Sequence, residues 1–339
     1  MNGPLRLGFP VKVMGNPDLK SNDTRRWAQN PHLRQSLVYL DAILDHLTDN
    51  GISMYRMSSD LAPYATHPDM PQFHSMVREC EAELRAVGAK ARQRDIRLSF
   101  HPSQFVVLNS PDETLVAKSV WDLRSQAEML DLMELGPEAV LVIHVGGVYG
   151  DRLLSREAWV RTWDVLPDLV RRRLTLEHDD LRFDASDTLW IHERTGVPLI
   201  FDHQHFHCLN RDGLAMRPTV EAMLRTWPET VRPKVHFSSP RTELREIKRK
   251  NPKTGKAETS LAAPVWTNHA DFCQPFEFIA FMRQVDGLVF DVMLEAKAKD
   301  LSLLRLRSDL LTYAPDIAAR FGLSGPAIPA EEAALEDVD

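Results

Sequence analysis

Residues 198–207 restrict the fold more than any other stretch: Pro-Leu-Ile-Phe-Asp-His-Gln-His-Phe-His is an apolar run that ends abruptly on a carboxylate and three imidazoles. Leu199, Ile200 and Phe201 are too few for a helix and fit a buried parallel strand. Asp202 then stands at the strand's carboxyl end, the edge where parallel sheets and barrels gather ligand and catalytic groups. The same grammar recurs along the chain. Apolar runs expected as strands also end at His101, His144, Glu177, His236 and Glu295.

Two further strands are expected at residues 5–10 and 52–57, where Gly8 permits a close approach to the backbone. Between the strands, helical patterns are expected at residues 31–50, 73–94, 113–135, 155–172, 186–195, 219–225, 275–284 and 300–313. Eight strands alternating with eight helices over about three hundred residues is the count and size of a (β/α)8 TIM barrel. A single barrel domain is therefore expected over residues 1–322, with a doubly wound open sheet as the alternative. Gly8-Phe9-Pro10-Val11 does not supply the GxGxxG of a dinucleotide site, and there is no P-loop or GxSxG turn.

Residues 241–268 form a long basic insertion, in which Arg245, Lys248, Arg249, Lys250, Lys253 and Lys256 outweigh Glu243 and Glu246. It reads equally as a solvated mobile loop and as a phosphate-contacting segment. Residues 323–339 are acidic and read as a disordered tail. Cys80, Cys208 and Cys273 are an odd count without CxxC spacing, against both a disulfide framework and a thiolate zinc site. With no signal pattern and no membrane-length apolar run, a cytoplasmic protein is expected, with no membrane association and no obligate protein partner. The formal net charge of −7 does not itself advertise nucleic-acid binding, but it leaves a local basic groove open.

The six strand endings, if they share one barrel rim, point into one basin. His205 and His269 are further candidate ligands from loops, which makes three carboxylates and five imidazoles with no thiolate. Such a nitrogen–oxygen set suits manganese or zinc and exceeds the needs of one open ion, so two or three divalent ions are expected. His203 and His207 have a weaker claim, as groups that orient ligands, while His178 reads as ordinary. His67, alone on an irregular segment, is carried as a candidate catalytic group. Clustered dications activate water near neutral pH and stabilise charge on phosphate oxygens, the chemistry of phosphodiester hydrolysis.

The ordered motifs Leu5-Arg-Leu-Gly-Phe-Pro, Gly51-Ile-Ser-Met-Tyr-Arg-Met-Ser-Ser, His101-Pro-Ser-Gln-Phe, Leu176-Glu-His-Asp-Asp, Phe201-Asp-His-Gln-His, Lys234-Val-His-Phe-Ser, His269-Ala-Asp-Phe and Asp291-Val-Met-Leu-Glu-Ala-Lys cover nearly everything before the tail. Together they resemble the UV damage endonucleases, relatives of endonuclease IV-type abasic-site nucleases. The resemblance implies a TIM barrel with a manganese-type cluster that nicks lesion-containing double-stranded DNA immediately 5′ of the lesion, leaving 3′-hydroxyl and 5′-phosphate ends. It implies the ligands His101, His144, Glu177, Asp202, His205, His236, His269 and Glu295, with Glu177 and Lys234 catalytic and Lys234 able to be carboxylated. Phe9, Gln104 and Phe105 would read the lesion, and the enzyme would join the nucleoid when acting. The chain departs from the family pattern in having Phe9 and Phe105 where tyrosine is common, His178 where asparagine is common, and the basic insertion before His269. Two other readings share parts of this pattern: a sugar isomerase-like metal barrel and a non-catalytic lesion-binding relative.

Overall fold

The computed structural model describes residues 3–251 and 254–324, so residues 325–339 of the expected tail and Lys253 lie outside the described residues, while Leu323 packs against the core. Eight short parallel strands form the wall: β1 (Leu7–Pro10), β2 (Met54–Arg56), β3 (Arg97–Ser99), β4 (Leu141–His144), β5 (Leu174–Glu177), β6 (Leu199–Ile200), β7 (Lys234–Phe237) and, after the hairpin strands β8 (Arg245–Lys250) and β9 (Ala257–Ala262), β10 (Asp291–Leu294). They pair as one sheet in the order β3-β2-β1-β10-β7 and another in the order β4-β5-β6. A Phe100–Leu141 bridge joins β3 to β4 and an Asp202–His236 bridge joins β6 to β7, so the circle closes into the expected TIM barrel.

Strand parity decides what each side chain meets. Leu7, Phe9, Tyr55, Leu98, Leu141, Ile143, Leu174, Leu176, Val235, Phe237, Val292 and Leu294 belong to the core shared with the surrounding helices. Their neighbours in sequence line the bore. Deep inside it, Arg97 pairs with Asp291 at 2.9 Å, each side chain 1% exposed. Val140, Val142, Ile200, Trp227 and Val231 fill the space beside them, and Lys234 Nζ lies 3.3 Å from Ser99 Oγ one layer higher. The close approach expected at Gly8 is that of β2, since a Cβ there would stand 2.7 Å from the Met54 carbonyl oxygen.

The helical expectations hold for Leu33–Asp49, Glu113–Leu132, Ala185–Thr195, Pro275–Gln284 and Asp300–Tyr313. Two others are corrected. The pattern at 73–94 breaks into Met76–Glu79 and Glu81–Gln93, with Cys80 outside helical dihedrals between them. The pattern at 155–172 becomes Arg152–Val165 and Asp168–Arg171, because Pro167 interrupts the backbone hydrogen bonds. Among the described residues, no helix is long and apolar enough to cross a membrane.

Candidate metal centre

The carboxyl ends of the strands meet in one buried group of imidazoles and carboxylates. Glu177 closes β5 and is its hub: Oε2 lies 3.1 Å from His101 Nε2 and 3.9 Å from His144 Nε2. Oε1 lies 2.9 Å from His236 Nδ1 and 3.5 Å from His205 Nδ1. His205 Nδ1 is also 3.7 Å from Asp202 Oδ1. Glu295, just past β10, extends the group, 3.4 Å from His236 Nδ1 and 3.9 Å from His269 Nε2. All eight candidate ligands are thus brought together. Two overlapping sets, His101–His144–Glu177 and Glu177–Asp202–His236, have their donor atoms within 4.8 Å of one another, so Glu177 belongs to two potential ion sites.

The carboxylates of this group stay ionised despite their burial. Burial by itself would raise the Glu177 carboxyl, yet His236, His144 and His101 hold it well below the usual carboxylate range. Burial likewise opposes ionisation of Glu295, and Arg56 and His236 outweigh it. His205 is pushed up to about 9: burial disfavours its charge, but Asp202, Glu177 and Glu295 favour it more strongly. Asp202 Oδ2 and His236 Nε2 are buried with no hydrogen-bond partner. Buried polar atoms are ordinarily satisfied, so orphaned donor atoms within one ligand set fit a bound divalent ion. The site could hold a metal ion.

Local structure places these groups. Residues 203–207, expected as loop, instead belong to a short helix, His203–Cys208, capped by Asp202 Oδ1 accepting from His205 N at 2.7 Å. One carboxylate therefore both caps the helix and faces the cluster. His178, read as ordinary, is fully buried behind the ligands. Its Nε2 accepts from the Asp202 backbone N–H at 3.1 Å, its carbonyl accepts from His205 Nδ1 at 3.0 Å, and burial beside His205 pushes it down to about 3. It contacts two candidate ligands while burial favours its neutral form. Arg56, also missed, pairs with Glu295 from the end of β2. Carrying the strand-end rule back one strand and to cations would have found it.

Lys234 is wholly buried in the bore, where burial and then Arg97 and Arg56 push its ammonium well below its ordinary value. Two candidates are corrected. Phe9 is fully buried, edge-on to Tyr55 at 5.4 Å, because parity along β1 turns it to the helices rather than the rim. Its ring is covered and not presented on the rim. His67 is not brought to the cluster: its Nδ1 accepts from Asp69 N at 3.2 Å, and it lines a separate cavity of about 590 Å³. Phe105, by contrast, is 74% exposed. With Gln104 it borders a second cavity of about 690 Å³ that reaches His144 and His205. Phe105 also lines the His67 cavity, so its ring stands between the two.

Fold and cluster together define a TIM barrel with a metal-competent rim. The sequence model of the UV-endonuclease family UvdE matches residues 29–320. The chain is 34% identical over 320 residues to a UV DNA damage endonuclease of Bacillus velezensis, covering 90% of this chain and 93% of the relative. It is 33% identical over 262 residues to another from Bacillus pumilus, covering 77% and 76%. The crystal structure of SacUVDE superposes with a TM-score of 0.76 at 29% identity, over 91% of this chain and 98% of that one. A D-psicose 3-epimerase from Clostridium cellulolyticum, at TM-score 0.52 and 10% identity over 93% and 99% of the two chains, shares the fold alone. The chain belongs to the UV-endonuclease family and is an endonuclease.

Proposed function

We propose that this enzyme hydrolyses duplex DNA immediately 5′ of UV photoproducts, using two or three divalent ions, with manganese ahead of zinc. The observation that carries this reading is the gathering of six side chains around Glu177 and Glu295, beside a cavity bordered by the exposed Phe105 ring. His101, His144, Glu177, Asp202, His205, His236, His269 and Glu295 would hold the ions. Bound there, such ions supply activation of water near neutral pH and neutralisation of charge on phosphate oxygens.

The remaining work falls to the chain. Gln104 and Phe105 occupy a weakened base step while the damaged nucleotides leave the stack and enter the adjoining cavity. Arg56 holds Glu295 in place, and His178 fixes the orientation of Asp202 and His205. Water oxygen bonds to phosphorus as the bond from phosphorus to O3′ breaks, leaving 3′-hydroxyl and 5′-phosphate ends. Lys234, with no carboxylate within ion-pair distance among the described residues, is the candidate for carboxylation, which would turn a buried amine into a further anionic ligand.

The test is a nicking assay on a duplex carrying one cyclobutane dimer, with protein stripped of metal and reloaded separately with Mn²⁺, Zn²⁺ or Mg²⁺. A single nick 5′ of the dimer, restored best by Mn²⁺, is expected. Absence of metal-dependent nicking would overturn the reading.

A further inference from the structure

The segment expected as a basic loop is an ordered two-stranded ribbon. β8 and β9 pair antiparallel from Arg245–Ala262 to Lys250–Ala257. Six residues of extended chain carry such a ribbon about 20 Å from its stem. The stem sits at the metal centre. Pro240 bridges His269, Arg241 N donates to Asn268 O at 2.8 Å, and Ala270 N donates to Ser239 O at 2.9 Å. Gln204, on the helix that carries His205, donates to the Trp266 and Asn268 carbonyls at 2.9 and 3.3 Å. The ribbon therefore leaves the barrel between two candidate ligands, His236 and His269, on the rim that faces substrate.

Its charge is opposite to that of the chain. Residues 241–268 hold seven basic side chains and three acidic ones, in a protein of formal net charge −7. Strand parity puts Arg245 and Arg249 on one face and Lys248 and Lys250 on the other, all exposed. Among the described residues, Lys248, Arg249 and Lys250 have no ion-pair partner. Neither face carries an apolar row: Ile247 lies between Arg245 and Arg249, and Leu261 stands opposite Glu246. A ribbon made to pack on the barrel or on a protein would bury one apolar face. Unpaired cations on both faces suit a polyanion that runs past the ribbon.

We infer that the β8–β9 ribbon is an arm that grips the phosphate backbone of the duplex flanking the cleaved step. This rests on the proposed endonuclease reading and extends its contact surface beyond the barrel. Phosphate contacts are independent of base sequence and set the salt dependence of binding, at about 0.9 in log–log slope per contact. Because 20 Å along a duplex is about six base pairs at 3.4 Å each, the arm adds about that much to the footprint.

The test compares the full-length parent with a Lys248→Ala, Arg249→Ala, Lys250→Ala triple variant. Both are assayed by nicking kinetics on dimer-containing duplexes of graded flank length, at salt from 50 to 200 mM. The variant is expected to keep its metal content, its kcat at saturating DNA and its ratio of damaged to undamaged binding. Its log–log salt slope is expected to fall by about 2.7, so that over this fourfold salt range the parent loses about 40-fold more affinity than the variant. The parent, and not the variant, is expected to tighten as one flank grows by about six base pairs. A variant whose salt slope equals that of a parent that nicks overturns the arm and leaves the endonuclease reading standing. A parent that neither nicks nor binds damaged DNA overturns both.

Discussion

Replacing Phe105 with alanine separates lesion recognition from folding. The ring is 74% exposed, so its removal is expected to change stability by no more than about 0.5 kcal/mol. If the same ring stacks on a base exposed at the lesion, its loss costs about 1–3 kcal/mol. At about 1.4 kcal/mol per factor of ten, that is roughly 5- to 150-fold in affinity for damaged duplex. Single-turnover nicking of a dimer-containing duplex, run beside a thermal melt, reads both quantities. Phe105→Ala is expected to lower kcat/KM within that range with an unchanged melting temperature, while Phe105→Tyr retains activity because the stacking face survives. A Phe105→Ala enzyme that nicks as fast as the parent would refute the wedge. A large drop in melting temperature would refute the claim that the ring serves only DNA.

Glu177→Gln keeps the shape but removes the charge that four imidazoles surround, so nicking is expected to fall by about 10³-fold while damaged-DNA binding persists. Parallel metal analysis should show lower ion content, and equal losses of binding and cleavage would contradict the role. Arg97→Met leaves Asp291 buried without its closest ion partner, at an expected cost of about 3–5 kcal/mol in urea unfolding. Pairing it with Asp291→Leu is expected to recover much of that loss, and an unshifted midpoint in Arg97→Met would sink the assignment. Burial pushes the Cys273 thiol up to about 12, so it is expected to resist thiol reagents near pH 8 until the chain unfolds, as quantitative labelling would show.

The barrel and the cluster were legible because both are written in one pattern, a buried apolar run closed by a ligand. That pattern survives even where a strand is as short as Leu199–Ile200, because the ordered pairing partner sets the geometry. What stayed hidden depends on parity or on exposure. Phe9 shares a motif with the site, yet one step along β1 reverses the face it serves. In His203–Cys208 five of the six residues are weak helix formers, and the segment becomes helical through its Asp202 cap and its packing. The β8–β9 ribbon has no apolar alternation to betray it, since both its faces meet solvent. Arg56 and His178 gave a weak signal because each acts through a neighbour rather than as a ligand.

The wall of this barrel has two seams, each held by one isolated bridge. The five-stranded sheet ends in His101, His236 and Glu295, and the three-stranded sheet in His144, Glu177 and Asp202. Any cation coordinated by Glu177 together with His101 or His236 would straddle a seam, making it a rivet between halves that the backbone barely joins. Loading the centre and keeping the cylinder shut would then draw on the same free energy, and starving the enzyme of its ions would loosen the scaffold as well as silence the chemistry.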